Sequence, residues 1–342
     1  MLGLVFVGDR QLELREFADP EPGPEEVVVA IKASGLCGSD LHLYRSDPAA
    51  PATQPLIRGH EPAGIVEAVG LGVSPQAAAV GDRVMVHHYS GCGRCNQCRS
   101  GWPQMCDVSN PRIYGVDQHG AHASHMVVPA TTLVSLDDSL SFTAGAAIGC
   151  GTGTAWGGLD RLGGDLGGAT VAVFGQGPVG LSATMLATAR GAKVIAVDIS
   201  GDRLATARRF GATETVDPTE MDSARAIQDL TGGKGASFVL ETSGSVSAST
   251  SALESLAKWG TACMIGLGGS VSFSPDAYLR RQITVRTSWS MSSVQQAECA
   301  AFISENQLPV DELFSHRWSL EDATDAYTEF DRQTSGKAAF IF

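Results

Sequence analysis

The stretch Thr170–Gly180, TVAVFGQGPVG, constrains the fold of this chain more than any other. An apolar β-forming run ends at Phe174, and glycines at 175, 177 and 180 lead into an apolar helical pattern. A strand that turns at once into a helix uses Gly175 for the tight turn and Gly180 for close helix–strand approach. Gly177 leaves the backbone bare toward a pyrophosphate. The helix start, with Pro178 and Val179 in its first turn, offers free N–H groups and a positive dipole end to that charge. The next strand, KVIAVDIS, places Asp198 eighteen residues beyond Gly180. A carboxylate there accepts hydrogen bonds from ribose hydroxyls and repels a 2′-phosphate, which favours NAD over NADP. Arg203 either adds a ribose or phosphate contact or lies on a solvated helix face. A lone GxGxxG is a weak signal in a chain with 40 glycines; the flanking strand and helix give it weight.

The surrounding segments alternate in the same way. The spacing predicts strands at Lys193–Asp198, Ser237–Glu241, Thr261–Leu267 and Ile283–Ser288, and helices at Val179–Arg190, Asp202–Phe210 and Val246–Lys258. Buried parallel strands joined by crossover helices produce this pattern. Before about residue 140 the pattern differs. Short strands (Val27–Ala33, Gly64–Val69, Arg83–His87, Met126–Val128) are separated by Gly/Pro turns, with one short helical turn around Ser39–Tyr44. At 342 residues, two domains are expected: one β-rich, one a doubly wound α/β domain.

A net charge of −13 argues against nucleic-acid or anionic-membrane partners. The N-terminal MLGLVFVGDRQLELREF carries no basic, apolar leader pattern and no membrane span is evident, so a reducing, cytoplasmic setting is expected. In that setting the eight cysteines are read as metal ligands or buried thiols before disulfides. Four of them, Cys92, Cys95, Cys98 and Cys106, fall within the stretch GCGRCNQCRSGWPQMC. The spacing C-x2-C-x2-C-x7-C departs from the iron–sulfur run C-x2-C-x2-C-x3-C-P and suits tetrahedral zinc held by four thiolates. Such a site has no open position, so it is structural.

Three further stretches carry chemically capable residues: ASGLCGSDLH with Cys37, Ser39, Asp40 and His42; IRGHEPAGIV with His60 and Glu61; and IGCGTGTAW with Cys150. Taken singly, each is as readily a buried thiol, a core histidine or a turn cap. Taken in order, with G59-H60-E61-x2-G64-x5-G70-x2-V73, the four-cysteine stretch and the glycine loop, the chain resembles the zinc-dependent medium-chain alcohol dehydrogenases over essentially its whole length.

That resemblance implies a GroES-like catalytic domain (1–148 and 289–342, with the cysteine lobe at 91–106) and a Rossmann domain (149–288). It implies two zinc ions per chain. One is catalytic, held by Cys37, His60 and Cys150; the other is structural. Asp40 is expected to orient His60, Ser39 to contact the substrate oxygen, His42 to pass a proton outward, and Glu61 to lie beside the metal. Ile265, Leu267 and Ser288 are expected to edge the nicotinamide. The implied reaction is reversible oxidation of a primary or secondary alcohol to an aldehyde or ketone by hydride transfer to NAD. A small alcohol or carbonyl compound is the expected partner and a homo-oligomer the expected assembly. Polyol and L-threonine-type substrates use the same framework. A non-catalytic metal or redox sensor using Cys263 and Cys299 is the alternative of another class. Gly38 stands where some members of the family carry a basic residue that contacts the pyrophosphate; Lys337 reads as a substitute for it or as a surface lysine, and the histidines at 119, 122 and 125 as bordering the cleft or as surface residues.

Overall fold

A computed structural model describes residues 1–47, 55–333 and 336–342. The chain divides into two compact units, Met1–Cys150 with Ser292–Phe342, and Gly151–Met291.

The first unit is built on a seven-stranded sheet. Its spine is Glu26–Leu36, eleven residues long and buried along most of its length. Pro62–Val69, His125–Pro129 and the C-terminal strand Lys337–Ile341 all pair with it antiparallel. Ala338 lies opposite Leu36, so the end of the chain is stitched to the strand that leads into Cys37. A hairpin, Leu2–Gly8 with Gln11–Glu16, lies outside this sheet. One core packs Leu4, Phe6, Leu36, Leu41 and Tyr44 against Tyr327, Phe330 and Phe340. Burying each such side chain contributes about 1.5–3 kcal/mol.

The second unit is a six-stranded parallel sheet in the order Glu214–Val216, Lys193–Val197, Thr170–Phe174, Ala236–Glu241, Leu256–Met264, Thr284–Thr287. This is the doubly wound order, with its switch between Thr170–Phe174 and Ala236–Glu241, where ligands bind at the strand ends. Val171–Phe174 are essentially inaccessible to solvent, as a parallel strand covered on both faces requires.

The alternation is met by helices at Pro178–Ala189, Gly201–Arg209 and Val246–Glu254. The third stops four residues short of the expected Lys258, and a strand begins at Leu256. The sequence hid an irregular strand start: Ala236 pairs with Leu256 but Phe238 with Thr261, so three extra residues fit between them, and Trp259 among them takes φ +65°. Two helices, Phe142–Ile148 and Gly151–Arg161, flank Cys150. No helix among the described residues is long and apolar enough to cross a membrane.

Candidate active site and cysteine lobe

Three local structures deliver one cluster in the first unit. Cys37 follows the long strand directly, and Ser39 and Asp40 open the single-turn helix Asp40–Tyr44. His60 and Glu61 immediately precede Pro62–Val69. Cys150 joins the two flanking helices. Ligand atoms of Cys37, His60, Glu61 and Cys150 all lie within 4.8 Å of one another. The thiols of Cys37 and Cys150 are 3.9 Å apart. Two sulfurs on a tetrahedral zinc with Zn–S near 2.3 Å stand about 3.8 Å apart, so the pair has the spacing the ion needs. The Ser39 hydroxyl is 3.3 Å from Cys37 Sγ and 3.2 Å from His60 Nε2.

Asp40 organises the cluster. Its Oδ1 is 2.9 Å from His60 Nδ1, and its Oδ2 accepts the Cys37 N–H at 2.9 Å. With Nδ1 carrying the proton toward Asp40, Nε2 presents its lone pair toward the thiols.

The charges of these groups depend on one another. The Cys150 thiol donates to Cys37 and, against the cost of burial and helped by His60, holds Cys37 well below the usual thiol range; Cys150 rises correspondingly. Burial opposes charge on His60, but Asp40 and Cys37 outweigh it and hold the imidazole well above its ordinary range. Two thiols and an imidazole at this spacing beside a carboxylate would suit a dipositive ion, which would take the place of the ring proton.

The four cysteines of the lobe also meet within 4.8 Å. Cys92 and Cys98 sulfurs are 4.0 Å apart, and Cys95 and Cys106 sulfurs 3.9 Å apart. Backbone N–H groups turn inward to the sulfurs: Cys95 N–H to Cys92, Cys98 N–H to Cys95, Cys92 N–H and Ser109 N–H to Cys106. The Ser109 hydroxyl and these N–H groups bring Cys106 down to about 5, while burial pushes Cys98 up to about 12.

In the second unit the glycine loop has the expected form. Gly175 takes φ +83°, and an added Cβ at Gly180 would overlap the Gly175 carbonyl oxygen. A Cβ at Gly177 would meet nothing within 4 Å, so the space in front of it is open. Gly177 caps the helix, with Pro178 and Val179 in its first turn. Asp198 is buried, accepting the Gln176 N–H at 2.5 Å and the Ser200 N–H at 2.9 Å; Arg203 stands 3.9 Å from it. Ile265 and Ser288 are half-buried and Leu267 is exposed, following the strand Leu256–Met264 and the strand Thr284–Thr287. His42 is exposed on the helix that Asp40 opens.

The family model of the alcohol dehydrogenase GroES-like domain matches residues 23–138, and that of zinc-binding dehydrogenase matches residues 178–305. The uncharacterized zinc-type alcohol dehydrogenase-like protein YphC of Escherichia coli strain K12 is 38% identical over 353 residues, spanning 100% of this chain and 99% of its own. The chain belongs to the zinc-dependent medium-chain dehydrogenase family. It is an oxidoreductase of the zinc alcohol dehydrogenase type. The L-threonine 3-dehydrogenase of Symbiobacterium thermophilum is 32% identical, covering 96% of this chain and 93% of that protein. Alcohol dehydrogenase TADH from Thermus sp. ATN1 superposes with a TM-score of 0.89 at 30% identity, covering 100% and 99%.

Several residues of this dehydrogenase escaped the sequence reading. Lys337 is no surface residue: it is 2% exposed and ion-paired with Glu61, itself fully buried. Burial pushes Glu61 up to about 8 against the pull of Lys337. His88, buried and held neutral by burial, lies edge-on to His60 at 5.1 Å and is 3.2 Å from the Gly149 carbonyl beside Cys150. Gln176, under the glycine loop, bonds Val173 and Thr184. Glu241 binds the N–H groups of Ser243 and Gly244 at the next strand end. His122 is buried, whereas His119 is exposed and accepts the Ile57 N–H, and the half-buried His125 opens the strand His125–Pro129 and pairs with Glu67.

Proposed function

We propose that this dehydrogenase oxidises a primary or secondary alcohol reversibly to an aldehyde or ketone with NAD as acceptor, using one zinc held by Cys37, His60 and Cys150 and a second held by the lobe. The observation that carries the reading is the convergence of two thiols and an imidazole at zinc spacing, with a serine hydroxyl against them. When bound, the zinc supplies Lewis acidity toward the substrate oxygen and the nicotinamide accepts the hydride.

The chain's own residues do the rest. Asp40 fixes the ring of His60. Ser39 Oγ, beside His60 Nε2 and Cys37 Sγ, accepts the hydroxyl proton of the alcohol as it gives up its own toward His42, which, exposed on the following turn, releases a proton to water. Lys337 neutralises Glu61, which favours three protein ligands over the glutamate as a permanent fourth. The negative charge of Asp198 at the strand end supports NAD over NADP. The thiol-based sites suit a reducing, cytoplasmic setting, and a homo-oligomer is the assembly we infer by family resemblance.

A threonine-type substrate is the second reading, supported by the 32% identical L-threonine 3-dehydrogenase. A sensor that reads thiol oxidation is disfavoured: Cys263 and Cys299 are both wholly buried, and burial raises Cys263 to about 11. NADH absorbance across simple alcohols, polyols and L-threonine tests the proposal. Substrate-dependent NADH formation that disappears on metal removal is expected. A folded, zinc-loaded protein inert to the whole panel, or one equally active without metal, would contradict it.

A further inference from the structure

The polar contacts of His60 do not end at Asp40. Asp40 Oδ2 also faces the Tyr327 hydroxyl at 3.5 Å. That hydroxyl is 2.8 Å from His122 Nε2, and His122 Nδ1 is 2.8 Å from Ser34 Oγ. Ser34, Asp40, His60, His122 and Tyr327 are all buried. They come from the long strand, the Asp40–Tyr44 helix, the second residue before Pro62–Val69, the stretch preceding His125–Pro129, and the helix Ala323–Asp331.

One assignment of protons satisfies every member. Ser34 O–H donates to His122 Nδ1. His122 Nε2–H donates to the Tyr327 oxygen, and Tyr327 O–H donates to Asp40 Oδ2. His60 Nδ1 stands in ion-pair contact with Asp40 Oδ1 at 2.9 Å, and His60 Nε2 faces Ser39 and the thiols as the ligand atom. This requires a neutral His122, and burial holds that ring down at about 4. Every donor therefore points toward the one carboxylate, which points to the metal ligand.

Packing alone does not call for these groups. The Tyr327 ring sits among Phe6, Tyr44, Phe330 and Phe340, where a hydroxyl costs desolvation unless it is bonded. An apolar pair at 122 and 327 would fill the same core without that cost.

We propose that Tyr327 and His122 are positioning residues for the metal: they deliver a hydroxyl proton to Asp40 and so fix its carboxylate, and through it the His60 ring, in the ligating orientation. The proposal rests on reading Cys37, His60 and Cys150 as a zinc site. Outer partners of metal-bound histidines typically govern affinity by about 10–100-fold.

The test is a zinc titration of the stripped full-length protein against a chromophoric chelator, with cobalt(II) spectra to separate the four-thiolate site from the mixed one. Tyr327→Phe should weaken the mixed site by about tenfold, shift its cobalt bands and leave the four-cysteine site unchanged. Ser34→Ala should give a smaller loss in the same direction. His122→Phe should weaken the site alone but add nothing to Tyr327→Phe, because it acts through that hydroxyl. Wild-type affinity in Tyr327→Phe, equal losses at both sites, or additive effects of the two substitutions would overturn the proposal. A wild-type protein that takes up no ion at the mixed site would instead overturn the zinc reading beneath it.

Discussion

Lys337 and Glu61, 276 positions apart in the sequence, form an ion pair with side chains 2% and 0% exposed. Lys337 Nζ also donates to the Leu36 carbonyl, 3.3 Å away, at the end of the strand that carries Cys37. The pair ties the C-terminal strand to both halves of the proposed zinc cradle.

Removing Lys337 leaves Glu61 buried without the cation that holds its value down at about 8, so the carboxyl must take up a proton or stand unpaired. Lys337→Met should cost about 3–5 kcal/mol in urea unfolding. Lys337→Met with Glu61→Gln should recover most of it, since the charge and its desolvation leave together. A double variant no more stable than the single would show that Lys337 matters through packing.

Two glycines of the same loop should behave oppositely. Gly180→Ala forces a Cβ into the Gly175 carbonyl, and should lower stability by roughly 1–3 kcal/mol through overpacking. Gly177→Ala, at φ −68° with open space before it, should leave the melting temperature within a degree or so while weakening NAD binding. Unchanged NAD affinity in Gly177→Ala would remove the loop from the cofactor site.

Asp198→Ala removes the acceptor of two backbone N–H groups and the charge that repels a 2′-phosphate. NAD affinity should fall, and the NAD-to-NADP preference should relax by about tenfold, measured as a ratio of kcat/KM values. An unaltered ratio would confine Asp198 to holding the turn.

His122 gives the protein an acid liability. Its folded value is about 4, against 6.5 ordinarily. Tyr327 and Ser34 bond to it, and Asp40 and His60 act on it through charge. The unfolded chain takes up a proton below 6.5 and the folded one only near 4. The contribution is therefore complete above pH 6.5 and is lost as pH falls toward 4, by up to about 3 kcal/mol. Urea midpoints from pH 7 to pH 5 should fall less steeply in His122→Gln than in wild type; parallel curves would contradict this.

The glycine loop and the cysteine lobe were legible because their chemistry is local: a few residues make the turn, and four thiols share one loop. Cys37, His60 and Cys150 lie too far apart for spacing to join them, and only the family resemblance did. Lys337, His122 and Tyr327 were illegible because their meaning lies in partners up to 301 positions away, reached through strand pairing and a shared core. Burial reversed the ordinary reading of a lysine and a histidine. The strand at Leu256 was lost to helix propensity, which sheet pairing overrode.

The central claim is two zinc ions per chain, of which only one is held by His60. Elemental zinc analysis of wild type and His60→Ala, each verified as folded, tests it most directly. Two equivalents in wild type and one in the variant are predicted. One equivalent in wild type, or two retained in His60→Ala, would contradict the account.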